Sequence, residues 1–175
     1  MFAAAAGAVL ALAAVPASAQ SIQQPSVYAT AGYAFVDGGS AANFGALEGR
    51  LGARVHPNFG LEADVAFGVD GDSQTVGSVN VKTKLKHSVA GYAVGFLPVA
   101  PNFDLLARAG YGTSKVSAKS GAISASDSEE SWNYGVGAQY AFDGVNGVRG
   151  DYTRYDFNHN GGKADVWAVS YVRKF

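Results

Sequence analysis

Along most of the chain, apolar and polar residues alternate with a period of two. Trp132, Tyr134, Val136, Ala138, Tyr140 and Phe142 interleave with Asn133, Gly135, Gly137 and Gln139. Successive side chains of a strand point to opposite faces, so this spacing predicts a strand with one apolar and one polar face. Eight such segments can be placed. The first, Val27–Val36, sets Val27, Ala29, Ala31, Tyr33 and Phe35 on one side. The second, Phe44–Val55, sets Leu47, Leu51, Ala53 and Val55 against Glu48, Arg50 and Arg54, and the third, Phe59–Val69, sets Leu61, Ala63, Val65, Phe67 and Val69 against Glu62 and Asp64. The fourth lies within Val79–Leu97 and changes phase: Val81, Thr83 and Leu85 share one parity, and Tyr92, Val94 and Phe96 the other. A bulge near Gly91 would reconcile them.

The fifth segment, Phe103–Ser114, opposes Phe103, Leu105, Ala107, Ala109 and Tyr111 to Asp104 and Arg108; the sixth is the Trp132–Phe142 run. The seventh, Val148–Phe157, opposes Val148, Gly150 and Tyr152 to Arg149, Asp151 and Thr153. The eighth, Asp165–Phe175, opposes Trp167, Val169, Tyr171 and Phe175 to Ala168, Ser170, Val172 and Lys174. Connectors alternate in kind. His56–Asn58, Leu97–Asn102 and Asp143–Gly147 are short with Pro or Gly turn residues, whereas Asp37–Asn43, Gly71–Ser78, Val116–Ser131 and Asn158–Ala164 are mostly longer and polar.

The amino terminus carries an Ala-rich apolar stretch through Val15, then Pro16 and Ala17-Ser18-Ala19. This is the pattern of a secretory signal peptide over residues 1–19, cut between Ala19 and Gln20, with a short lead over 20–25 and one domain over 26–175. No basic residue precedes the apolar stretch, so an in-frame start further upstream is expected. No later apolar run approaches the ~20 residues that a spanning helix requires. A chain rich in apolar residues without such helices can still span a membrane as a closed barrel, which leaves no backbone group unpaired in lipid. Each segment is near the ~9–11 residues of a tilted membrane strand. Rings fall near both strand ends: Phe59, Phe96, Phe103, Tyr140, Phe142 and Phe175 at one, and Phe35, Phe44, Phe67, Tyr111, Trp132 and Trp167 at the other. Such tiers match the aromatic girdles of membrane barrels. A soluble barrel would place its charges outside, so sidedness separates the two readings.

Fourteen acidic residues nearly cancel 13 basic ones, so no overall field draws the protein to nucleic acid. There are no cysteines, which excludes thiol chemistry. His56, His87 and His159 are scattered, and no cluster has metal-ligand spacing. His87 and Ser88 are adjacent and so face opposite sides of a strand, poor geometry for a base and a nucleophile. No catalytic residue, cofactor or metal is therefore assigned.

"FGLEADVAF", "FDLLARAGYG", "YGVGAQYAFD", "VRGDYTRY" and the closing Phe175 together resemble the small eight-stranded outer-membrane barrels. That group includes the membrane domain of outer membrane protein A, outer membrane protein X and the opacity-type proteins. The resemblance covers residues 26–175. It implies an all-β, antiparallel up-and-down barrel in the cell outer membrane, with short periplasmic turns and longer extracellular loops. It also implies that Trp167, Tyr171 and Phe175 are read by the barrel-assembly machinery after periplasmic chaperones deliver the chain. Glu62, Arg108 and Arg149 match members of an internal charge network in outer membrane protein A. Gln139 and Val94 depart from that pattern, where an acid and a Lys are expected, so the network should be balanced but smaller. No peptidoglycan-binding domain is expected beyond the barrel, and cell-wall tethering is not implied.

The inward charges Glu48, Arg50, Arg54, Glu62, Asp64, Arg108, Arg149 and Asp151 must then pair across a narrow lumen. They read either as a polar plug or as a gate in which Glu62 switches between Arg108 and Arg149. Asp127, Glu129 and Glu130 lie in a solvated loop, and Lys82, Lys84 and Lys86 could touch lipopolysaccharide phosphates. The expectation is a monomeric, non-enzymatic barrel whose partners are the lipid bilayer and lipopolysaccharide. A narrow-pore porin and an adhesin are the alternatives.

Overall fold

The computed structural model describes residues 25–39, 43–69, 72–76, 79–120, 123–158 and 162–175. The expected signal segment and the expected cleavage pair, Ala19 and Gln20, lie outside the described residues, as does His159. Among the described residues nine strands follow one another: β1 (Ser26–Asp37), β2 (Asn43–His56), β3 (Phe59–Gly68), β4 (Asp72–Val76), β5 (Val79–Ala100), β6 (Phe103–Ser120), β7 (Ile123–Ala141), β8 (Asn146–Phe157) and β9 (Lys163–Lys174). All pairings are antiparallel. β1 pairs β9 from Tyr28↔Lys174 to Asp37↔Asp165, and β3 pairs β5 from Phe59↔Gly95 to Ala66↔Ser88. These contacts close the sheet into an eight-stranded barrel. The short β4 stands outside the ring and continues the line of β3 along the far end of β5, from Asp72↔Thr83 to Val76↔Val79.

The sidedness is that of a membrane barrel. Leu47, Leu51, Val65, Val136, Trp132 and Val169 are exposed on the outer wall, while Glu48, Arg50, Glu62, Asp64, Arg108, Arg149 and Asp151 are buried inside. Exposed aliphatic residues suit lipid, which competes for no hydrogen bonds, and inward polar residues find one another.

Three sequence expectations change. The bulge in β5 is at Lys86 rather than Gly91, because register slips between Leu85↔Val116 and His87↔Lys115. Lys86 and His87 are both exposed, and Ser88, Ala90, Tyr92, Val94 and Phe96 then face inward without interruption. Phe96 is consequently a lumen residue, 4 % exposed, and not part of a girdle; Phe44 also faces inward, against the buried Ala46 cluster. The span Val116–Ser131 is not an open loop. β6 and β7 pair continuously through Val116↔Asp127 to Ser120↔Ile123. With β4 and β5 they carry the sheet well beyond the ~9–11 residues needed to cross the bilayer.

Inward glycines make room for inward rings. A Cβ on Gly52 would overlap the Tyr28 ring, and one on Gly110 would overlap Tyr92. A glycine in a strand interior marks such a close approach.

Candidate functional site

β2, β3, β6 and β8 each send charged side chains to one level of the lumen. Arg50 and Asp64 are direct cross-strand partners on β2 and β3, which sets Arg50 Nε 2.8 Å from Asp64 Oδ2. The same guanidinium reaches across the barrel and donates from Nη1 and Nη2 to Asp151 Oδ2 and Oδ1 on β8, at 2.9 and 3.0 Å. Its Nη2 also contacts Glu48 Oε1. Arg149 donates to both Glu62 oxygens, and the Tyr28 hydroxyl adds a 2.6 Å bond to Glu62 Oε1. Arg108 pairs with Asp151 at 2.9 Å, donates to Thr153 Oγ1 from Nε at 3.0 Å, and stacks over the Tyr92 ring at 4.6 Å. Arg108 Nη1 stands 3.8 Å from Glu62 Oε2 and 3.8 Å from Asp64 Oδ2, beyond hydrogen-bond reach of both.

Seven of the eight predicted lumen charges therefore meet in one layer. Arg54 does not join it. It lies toward the short-turn end, where it donates to Asp104 Oδ2 at 3.0 Å and to the Pro57 carbonyl from Nε at 2.9 Å, and stacks over Phe96 at 4.4 Å. Asp104 was missing from the predicted set although its inward parity in the fifth segment was visible. Between these two polar levels lies an apolar one, with Tyr28, Val94, Phe96, Leu106 and Val172 packed together. Val94, a position where a Lys was expected by resemblance, thus sits in a greasy layer beside Arg108, its register partner. Gln139 is buried and faces Arg149 across β7 and β8.

On the other side of the charged layer, toward the longer connections, Ala34, Ala46, Ala66, Leu85, Ala164 and Val166 line a cavity of about 480 Å³. Nothing in the patterning of the sequence marked this space, because small residues at inward positions leave volume only once the wall is closed.

Ser88 points inward and accepts a 3.0 Å bond from Ser114, while His87 is exposed outside, so the two face opposite sides. Among the described residues no group of His, Cys, Asp or Glu could hold a metal ion. Trp167, Tyr171 and Phe175 stand on the outer wall of β9 and just after it, all exposed. Lys86 is exposed at the bulge, and Glu130 accepts a 2.8 Å bond from the Tyr111 hydroxyl.

A closed antiparallel barrel with greasy walls and an ionic interior defines an integral outer-membrane protein. The chain belongs to the outer membrane protein beta-barrel domain family, whose family model matches residues 5–175. No curated protein matches the sequence. Among solved structures, the chain is similar to Ail, the attachment invasion locus protein of Yersinia pestis, in complex with the heparin analogue sucrose octasulfate: 19% identity, TM-score 0.64, covering 87% of this chain and 99% of that one. The N-terminal barrel of Pseudomonas aeruginosa OprF gives 12% identity and TM-score 0.68 over 87% of this chain and 98% of that one. Neisserial surface protein A gives 14% and 0.64 over 86% and 97%. At these identities the likeness speaks for the fold, and with it the family places the protein in the cell outer membrane.

Proposed function

We propose that this protein is a monomeric, non-enzymatic structural barrel of the outer membrane whose lumen does not conduct. The observation that carries this reading is Arg50: its side chain is 0% exposed while its guanidinium bridges β2, β3 and β8 through the barrel axis. An eight-stranded barrel has an interior just wide enough for side chains to fill. A layer of fully buried ion pairs across it leaves no room for a water column. The same packing favours a plug over a gate, since Arg108 is already committed to Asp151 and Thr153 when Glu62 is held by Arg149. Planar-bilayer recording on the purified barrel is the test. No steady current is expected; a stable single-channel conductance would overturn the reading. The absence of catalysis is supported by the opposed faces of His87 and Ser88.

A second reading, surface recognition, is favoured by the outer extension. β4 to β7 form a paired platform beyond the membrane, with Lys82 opposite Lys119 and Lys84 opposite Ser117 in the ladder. Such a platform could meet lipopolysaccharide phosphates or another anionic surface. Binding of intact cells to anionic glycans, compared with cells carrying a barrel shortened by removal of 117–126, tests it; equal binding rejects it. For assembly, Trp167, Tyr171 and Phe175 are assigned as the outward signal read by the barrel-insertion machinery after chaperone delivery. Phe175→Ala should lower the amount of inserted barrel, and unchanged insertion would remove that assignment.

A further inference from the structure

The cavity on the outer side of the charged layer has walls of one chemistry and a floor of another. Its walls are Ala46, Ala66, Leu85, Ala164, Val166 and the half-buried Phe44. Its floor includes Glu48, together with the Ser88–Ser114 pair and Tyr155. The exposed Gly39, Gly162 and Lys163 form its rim. A volume of about 480 Å³ falls within the ~300–1,000 Å³ of pockets that enclose small molecules.

Charge balance is uneven at that floor. The layer beneath holds four carboxylates (Glu48, Glu62, Asp64 and Asp151) against three guanidiniums (Arg50, Arg108 and Arg149). Glu62, Asp64 and Asp151 each accept a hydrogen bond from an arginine. Glu48 instead shares Arg50 Nη2, the nitrogen that also donates to Asp151. Glu48 is thus the surplus anion of the cluster, and it is the one carboxylate of the four that borders the cavity. At the rim, Glu129 adds a second carboxylate, while the Lys163 ammonium is held 3.1 Å from Asp156. Small apolar walls, a buried surplus carboxylate at the bottom and an open rim complement a molecule with a greasy body and one cationic end.

We propose that this cavity is a binding site for a small lipophilic amine, its hydrocarbon body against the Ala46–Val166 walls and its ammonium donating to Glu48. A charge-assisted hydrogen bond in a water-poor site is stronger than its neutral counterpart, so head-group charge should dominate selectivity.

The test uses the barrel in lipid nanodiscs and three probes of equal chain length: octylammonium, octanol and octanoate. The readout is the methyl NMR shifts of Ala46, Leu85, Ala164 and Val166. Octylammonium should saturate these shifts at a concentration at least about tenfold below octanol, and octanoate should leave them unmoved. Ala46→Phe, which fills the space, should abolish both responses and so separates lumen binding from partition into lipid. Glu48→Gln should bring octylammonium to the level of octanol. The proposal is overturned if octylammonium moves none of these methyls, if octanol or octanoate binds as tightly, or if folded Glu48→Gln barrels keep the tenfold preference. The three-probe comparison on the unaltered protein decides the matter even if a variant fails to fold.

Discussion

Arg50 and Asp151, 101 residues apart in the chain, join β2 to β8 across the lumen by two parallel hydrogen bonds of 2.9 and 3.0 Å. Neither strand is a ladder neighbour of the other; β1 and β9 lie between them. The pair is therefore a strut through the barrel and not part of its wall.

Removing that strut deprives Glu48 and Asp64 of their close arginine, while Asp151 keeps Arg108 at 2.9 Å. Arg50→Met should destabilise the barrel by about 3–5 kcal/mol, the usual consequence of deleting one partner of a buried pair. Urea unfolding of protein refolded into lipid vesicles measures it. The Arg50→Met/Glu48→Leu double variant should recover part of the loss, because it removes one of the carboxylates left without its arginine.

Tyr28 tethers Glu62 by a 2.6 Å hydrogen bond. Tyr28→Phe keeps the ring against Phe96 but loses this bond to a charged acceptor, at a cost of about 1.5–3 kcal/mol in the same unfolding assay.

Gly52 and Tyr28 should prove non-additive. Gly52→Ala drives a methyl into the Tyr28 ring, and overpacking of this kind costs about 1–3 kcal/mol. In a Tyr28→Ala background the same change should be nearly silent, because the obstructed ring is gone.

Deleting Lys86 should leave the barrel's sidedness intact. Lys86 is the unpaired residue of the β5 bulge, so its loss makes Leu85, His87 and Ser88 alternate regularly with Leu85 and Ser88 still inward. Deleting Val89 instead would turn one end of β5 inside out. Heat-modifiable migration of the folded barrel should be retained by the first deletion and lost by the second.

The turn between β7 and β8 has a pH signature. Asp143 Oδ1 accepts from the Val145 and Asn146 amides at 3.0 and 2.6 Å, and Oδ2 accepts from the Asn146 side chain at 2.7 Å. These bonds hold its carboxyl below the ordinary Asp value. A folded value below the unfolded one means that its stabilisation is complete at neutral pH. It is lost only as pH falls through the folded value, below about 4. Carboxyl NMR titration should show Asp143 titrating below the ordinary Asp value, and Asn146→Ala should raise it.

Much of the architecture was readable because the pleat imposes a period of two. Once Leu61, Ala63, Val65 and Phe67 share a face, Glu62 and Asp64 must share the other, whatever the partners are. The phase change in the fourth segment was equally visible, but its position was not. Alternation tells that one residue is extra without telling which, and the bulge settled at Lys86 where the ladder to β6 could slip. The misplacement of Phe96 has the same root, since an aromatic near a strand end suits a girdle or a lumen plug equally well. Gly60, which lets the Phe96 ring lie close, is recognisable as its partner only in three dimensions.

The amino-acid order alone settled the two-faced character of the strands, the three short turns, and that charge and grease segregate, because these depend on neighbours one or two residues away. Closure of the sheet decided the rest. It put Arg50 against Asp151 and separated Arg54 with Asp104. It also left a cavity above Glu48. Those outcomes depend on distances across the barrel, which arise only when β1 meets β9.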